Sequence, residues 1–288
     1  MKPKFTKGKA NQESLSDRMK SYEDVTTGAS LIPRLPVYAR IDGRAFHTFC
    51  RGLQKPFDMD FCHVMQETCR YLVEKFGAAV GYVQSDEISL GWLSTEKVPF
   101  ETRLFKLQSV LASAATTAFI LAGLKTPMAD RIRKMMPTFD CRVCQMPDES
   151  ELANMFLWRE MDCVKNAITL VALSKFSTKQ IHQKNGDDKV AMLKTVGVDF
   201  YEDISPELRR GTYFRRELYQ MELTPEQLAR IPESQRPQDG AGPISVTRSH
   251  IVSFDIGMPL LEVANKPGVL FNNEAAINKK DLPQDAIT

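Results

Sequence analysis

Apolar residues return every three to four positions between Asp58 and Phe76 (Phe61, Val64, Met65, Cys69, Leu72, Val73 and Phe76), the spacing of one face of an α-helix, and Gly77 supplies a stop. Leu104, Leu107, Val110, Leu111, Ala114, Ala115 and Ala118 make a second such face, predicting a helix over about residues 102–122 that Gly123 ends. Four β-rich runs surround these helices. Pro36-Val37-Tyr38-Ala39-Arg40-Ile41 breaks at Gly43, and Thr138-Phe139-Asp140-Cys141-Arg142-Val143 is the last of the four. Between them, Val80-Gly81-Tyr82-Val83-Gln84 and Ile88-Ser89-Leu90-Gly91-Trp92 lie close enough to form a hairpin. The order β-α-β-β-α-β predicts a ferredoxin-like split unit: an α+β fold with an antiparallel sheet and both helices on one face. In such a sheet strand one lies antiparallel beside strand three. The end of the first then shares an edge with the start of the other, where Asp42 is expected to meet Asp86.

The rest of the chain patterns less sharply. Residues 1–12 read as a flexible arm, followed by a short helix from Leu15 with Ser16 or Asp17 as N-cap. A long helical stretch is expected from about Ser150 to Phe176, then shorter helices to about Val196. Two further strands are expected over Gly211–Tyr219 and Ile244–Val252. Ile231 to Pro243, rich in Pro, Gln, Asp and Gly, reads as an exposed linker between them. The division expected is a catalytic unit over 1–145, arm included, and a region over 146–288 of helices, hairpin and tail.

With 43% hydrophobic and 26% charged residues in 288, the chain can bury a large core, in one domain or two closely packed ones. A formal charge of +2 excludes a protein that coats nucleic acid by bulk charge, so an RNA partner must be met by a local patch. The six cysteines are scattered through predicted helices and strands, unlike a secreted disulfide framework, and free thiols are expected. Cys141 and Cys144 have zinc-like spacing, but in a strand residues three apart point to opposite faces, and no second pair follows. No apolar run approaches the ~18 residues of a membrane span, so a soluble, cytoplasmic protein is expected, with no membrane partner.

Two acidic turns carry the candidate chemistry: Arg40-Ile41-Asp42-Gly43-Arg44 and Ser85-Asp86-Glu87. Phosphoryl and nucleotidyl transfer need charge neutralised on attacking, transferred and leaving oxygens, and two magnesium ions held by carboxylates do this. Asp42 and Asp86 suit such bridging, and Gly43 lets the backbone approach so that its carbonyl serves as a third ligand. Glu87 is expected on the opposite face from Asp86, which leaves its catalytic role less defined. Lys55, before a helix start, and Arg103 with Lys106, on one helix face, are the basic residues available to a triphosphate; an Arg-x-x-Lys pair is equally the mark of a solvated helix edge. Acidic turns alone are common turn chemistry and do not decide the matter.

A longer set of motifs does. Arg40-Ile41-Asp42-Gly43-Arg44-Ala45-Phe46-His47, Lys55-Pro56-Phe57-Asp58 and Gln84-Ser85-Asp86-Glu87-Ile88-Ser89 resemble the tRNA-histidine guanylyltransferase family. Arg103-Leu104-Phe105-Lys106, Phe139-Asp140-Cys141-Arg142-Val143, Trp158-Arg159-Glu160-Met161-Asp162-Cys163 and Arg209-Arg210-Gly211-Thr212 follow in the family's order. The resemblance spans about residues 16–216. It implies a polymerase-like palm domain and a nucleotidyltransferase that extends the 5′ end of tRNA in the 3′-to-5′ direction. A 5′-monophosphate is activated with ATP or GTP and then attacked by the 3′-hydroxyl of an incoming GTP; a 5′-triphosphate needs no activation. It further implies that Asp42, Asp86 and the Gly43 carbonyl hold two magnesium ions, with Asp42, Asp86 and Glu87 as the catalytic acids. The nucleotide would be bound by Asp42, Gly43, Arg44, Ala45, Phe46, His47, Lys55, Ser85, Asp86, Arg103 and Lys106, in a homodimer or homotetramer.

One motif departs from the pattern. Guanylyltransferases specific for histidine tRNA resemble Asp-Cys-His-Ile-Asn-Asn where this chain has Asp162-Cys163-Val164-Lys165-Asn166-Ala167. Loss of that histidine resembles the guanylyltransferase-like branch, which repairs truncated tRNA 5′ ends by templated addition. Arg209, Arg210 and Arg215 are expected to bind RNA phosphates. Other readings of the same residues are addition of a single guanosine at position −1, a palm-fold cyclase or 3′-end polymerase, and a non-catalytic tRNA-binding palm protein.

Overall fold

A computed structural model describes residues 14–232 and 245–283. The N-terminal arm and most of the Pro-rich linker lie outside the described residues. The elements follow in order: α1 (Leu15–Thr27), β1 (Val37–Gly43), α2 (Phe46–Phe49), α3 (Met59–Phe76), β2 (Val80–Gln84), β3 (Glu87–Trp92), α4 (Leu104–Gly123), α5 (Ala129–Met135) and β4 (Phe139–Gln145). After these come α6 (Glu149–Lys175), α7 (Thr178–Ile181), α8 (Gly186–Thr195), α9 (Phe200–Asp203), α10 (Pro206–Arg210), β5 (Thr212–Glu222), α11 (Pro225–Ala229), β6 (Ser245–Phe254) and α12 (Lys266–Phe271).

The strands form one antiparallel sheet in the order β4-β1-β3-β2-β5-β6, whose first four members have the expected ferredoxin-like arrangement. The last two extend it from beyond residue 145. Alternation along the strands sorts the two faces. Ala39, Ile41, Ile88, Leu90 and Trp92 pack under α3 and α4 with Leu72, Val73, Leu111 and Phe119. Tyr38, Val80, Tyr82 and Tyr213 point the other way, onto Leu152 and Phe156 of α6. Each such fully buried large side chain contributes roughly 1.5–3 kcal/mol.

Local signals set the helix ends. Asp58 caps α3 by accepting from the Phe61 N–H at 3.0 Å, and Gly77 ends it in the left-handed region at φ 62°. Ser14, rather than Ser16 or Asp17, caps α1 by accepting from the Asp17 N–H at 3.1 Å. By length and composition α4 is apolar enough to cross a membrane, which corrects the sequence expectation that no run is; in the fold it is the second helix covering the sheet. A buried carboxylate ties the C-terminal segment down. Glu160 of α6 accepts from the Tyr213 hydroxyl at 2.8 Å and the Leu260 N–H at 2.7 Å.

Candidate active site

The candidate active site is the end of the sheet where β1 stops. Asp42 sits opposite Glu87 on one side and Asp140 on the other, and Gly43 opposite Phe139. Beyond the ladder, the Gly43 N–H donates to the Asp86 carbonyl at 3.0 Å and the Arg44 N–H to the Thr138 carbonyl at 2.9 Å. Two backbone bonds thus stitch the acidic turns together. Ser85 and Ala45, flanking the tip, hold left-handed φ values of 48° and 58°, a conformation that costs a side chain of order 1 kcal/mol and persists only where its surroundings impose it. Below lies an aromatic floor: the Phe46 ring centroid is 5.0 Å from that of Phe139, 5.3 Å from Phe119 and 6.1 Å from Phe61. A Cβ on Gly43 would come within 2.4 Å of the Phe46 ring. Gly43→Ala is therefore expected to lower stability by roughly 1–3 kcal/mol, read from urea unfolding, as the ring gives way.

The tip concentrates negative charge that Arg40, Arg142 and His47 offset only in part. Burial pushes the Asp86 carboxyl up from the usual carboxylate range, and the charge of Asp42 adds to it; burial and then Asp140 do the same to Asp42. Among the described residues neither aspartate has an ion-pair partner; the Asp86 carboxylate accepts from the Ser85 hydroxyl at 3.1 Å and is also held by a backbone N–H. No group of three or more His, Cys, Asp or Glu side chains among the described residues is gathered for an all-side-chain metal site. Two half-buried carboxylates without a direct ion pair among the described residues, beside a backbone turn, are the smaller donor set that magnesium takes when phosphates and water complete its shell. The residues fit the ion.

Beside the tip opens a cavity of about 550 Å³, within the size range of small-molecule sites. It brings together His47, Lys55, Ser85 and Asp86 from the expected nucleotide segments, with Phe46 in its wall. Phe57, Phe61, Met65, Leu170 and Leu208 supply apolar surface. Lys55, His47 and Ser85 are exposed, whereas Phe46 is 1% exposed and committed to the aromatic floor. Cys50 and Cys62 also line it, and burial pushes their thiols up to about 12 and about 11, leaving them protonated at neutral pH.

Several expected site residues sit elsewhere. Glu87 is turned to the α6 face, where its Oε1 accepts from Arg159 Nε at 2.6 Å and its Oε2 lies 3.9 Å from Arg40 Nε. With 7% of its side chain exposed it is a positioning residue that fixes the hairpin to α6, not a free catalytic acid. Arg103 and Lys106 stand at the opposite end of α4 from the acidic tip. The Phe139 N–H, next to Gly43 in register, donates to Thr116 of that helix at 3.1 Å. The rise from residue 116 back to residue 103 is about 20 Å. Arg103 bridges to Ser30, and Lys106 lies 5.3 Å from the Phe100 ring, so within one chain neither reaches the tip.

Two of the three expected RNA-binding arginines are consumed by the fold. Arg210 pairs with Asp255 at 3.1 Å, and Arg215 pairs with Glu217 at 2.8 Å while lying 4.2 Å from the Phe254 ring. Arg209 keeps a buried Nε without a hydrogen-bond partner among the described residues and stacks at 5.8 Å on Tyr201. The cavity also recruits residues that sequence reasoning passed over: Gln84, Asn166, Glu207 and Thr212. Gln84 precedes the Ser85-Asp86 turn and Asn166 falls in the departing motif, so position alone pointed to both.

The geometry has counterparts among known proteins. A family model described as tRNAHis guanylyltransferase matches residues 16–147. A solved bacterial tRNA(His) guanylyltransferase (Thg1)-like protein in complex with ATP is similar at a TM-score of 0.64 and 38% identity, over 71% of this chain and 87% of that one. Another, in complex with GTP, is similar at 0.59 and 31%, over 83% and 89%. The tRNA(His) guanylyltransferase of Debaryomyces hansenii is 28% identical over 202 residues, 65% of this chain and 76% of its own length. The palm sheet with acids at its tip, taken with these matches, makes this enzyme a nucleotidyltransferase. The chain belongs to the tRNAHis guanylyltransferase family.

Proposed function

We propose that this chain extends the 5′ end of tRNA in the 3′-to-5′ direction, directed by base pairing, with GTP as the preferred nucleotide and two magnesium ions at the tip. The supporting observation is the convergence of Asp42, Gly43 and Asp86 at one stitched tip, next to a cavity with Lys55 and His47 at its mouth. Asp42, Asp86 and the Gly43 carbonyl would hold the ions. When bound, they neutralise the oxygens between which the phosphoryl group moves. Lys55, His47 and the Ser85 hydroxyl meet the triphosphate, and Phe57, Phe61, Leu170 and Leu208 shield the base from water.

Two transfers follow on one site. An oxygen of the RNA 5′-monophosphate bonds to the α-phosphorus of ATP, and pyrophosphate leaves. The 3′-hydroxyl of GTP then bonds to that RNA 5′-phosphorus, releasing AMP and giving up its proton. Templated addition is supported by Val164, which stands where histidine-tRNA enzymes resemble a histidine and packs against the apolar cluster of Ala167, Ile168, Val171, Leu193 and Phe200. Arg209, with the exposed lysines 175, 179 and 184, supplies point charges for the RNA backbone.

Incubating the protein with a 5′-truncated tRNA, ATP and GTP, and sequencing both RNA ends, tests this. The expected product carries added nucleotides at the 5′ end, complementary to the facing strand. An unextended tRNA, or growth at the 3′ end, would refute it.

A further inference from the structure

Gln84 closes β2 where that strand loses its outer neighbour. β5 pairs with β2 only from Val80 to Val83, so the sheet edge opens beside Gln84, and the cavity lies there. The residue is 6% exposed and lines the cavity, and its Oε1 is buried without a hydrogen-bond partner among the described residues. Native interiors rarely leave an amide carbonyl unpaired, and such exceptions recur where a ligand completes the bond.

The neighbours on its face of the sheet do not relieve it. Glu87, opposite Gln84 across the hairpin, is an acceptor itself. Arg159 directs Nε to Glu87 at 2.6 Å and Nη2 to Asp162 at 2.8 Å. Asn166, also in the cavity wall, donates its Nδ2 to Asp162 at 3.2 Å. A carboxylate only accepts, so that bond fixes which way the Asn166 amide faces.

We propose that Gln84 is a specificity-determining residue of this cavity, its side-chain carbonyl accepting a hydrogen bond from an N–H or O–H group of a bound nucleoside triphosphate. The inference rests on the nucleotide reading of the cavity and names the group that reads the ligand. The amide turns about its terminal torsion, which is broad and roughly two-fold, to bring the oxygen to the ligand. Donors of this kind are the imino and amino groups of guanine, the amino group of adenine and the ribose hydroxyls. A site that loses an expected donor keeps an unpaired buried acceptor, and that is how polar sites discriminate.

The test uses Gln84→Met, which keeps length and removes the polar atoms. Dissociation constants for GTP, ATP, ITP, 2′-deoxyGTP and 3′-deoxyGTP are measured by calorimetry on wild type and variant, with the unfolding midpoint of each as a check that both are folded. The expected result is GTP binding weakened about tenfold by the substitution, with the difference vanishing for those nucleotides of the set that lack the donor. Unchanged binding of every nucleotide, or an equal loss for all of them, would overturn the assignment and leave the nucleotide reading standing. Failure of the wild type to bind either GTP or ATP would overturn both.

Discussion

Asp86→Asn abolishes nucleotide addition while leaving a protein that is folded and more resistant to heat than the wild type. The loss expected is at least roughly 10³-fold in turnover, the consequence of removing about 4 kcal/mol of transition-state charge stabilisation. The gain in stability follows from the direction of the carboxyl shift. Burial and Asp42 hold Asp86 above its ordinary range, so the folded state binds its proton more tightly than the unfolded chain does. At neutral pH the ionised group therefore weakens the fold. The deficit fades as the pH falls through the folded-state value, because the carboxyl is then protonated in the native protein. Differential scanning calorimetry from pH 8 downward, without divalent cations, should show the variant's advantage shrinking toward acid. Asp42→Asn behaves likewise, since burial and Asp140 raise that carboxyl too.

The largest effect on stability is expected from Arg159→Met. The guanidinium and the Glu87 carboxylate are 8% and 7% exposed, with a 2.6 Å bond between them. Removing Arg159 takes away the close, hydrogen-bonded partner and leaves the buried carboxylate with Arg40 alone, at 3.9 Å, at a cost of about 3 kcal/mol. Burial already lifts the Glu87 carboxyl upward against the pull of Arg159 and Arg40, and loss of Arg159 moves it further up. Glu87→Leu combined with Arg159→Met should recover most of the loss, because the pair then leaves together. Urea unfolding of the two single variants and the double variant measures this. Near-additive losses would mean that the pair does not couple the hairpin to α6.

These two residues also show where sequence reasoning stops. Strand alternation correctly put Glu87 on the face opposite Asp86, but nothing near it in sequence announces Arg159, 72 residues away. Periodic strands and helices made the four-stranded core legible, and its topology put the end of β1 beside the turn that carries Asp86. The tip is local to two turns, so it was readable. The cavity is not: its walls come from α2, α3, α6 and α10, and only tertiary packing assembles them. That Arg103 and Lys106 do not reach the tip within one chain has a reason the topology already contained. A helix that leads from the end of β3 to the start of β4 begins at the far end of the sheet. The ion pair of Arg210 is hidden from sequence because Asp255 lies 45 residues on; Glu217, two strand positions from Arg215, is a cue within reach.

The central claim is that Asp42 and Asp86 jointly hold divalent metal against a bound nucleotide. Manganese, a paramagnetic stand-in for magnesium, can be titrated into the protein with GTP present and the free ion counted by electron paramagnetic resonance. The expected result is saturable binding in the wild type that either Asp42→Asn or Asp86→Asn weakens by at least an order of magnitude. Equal binding by the wild type and both variants would contradict it.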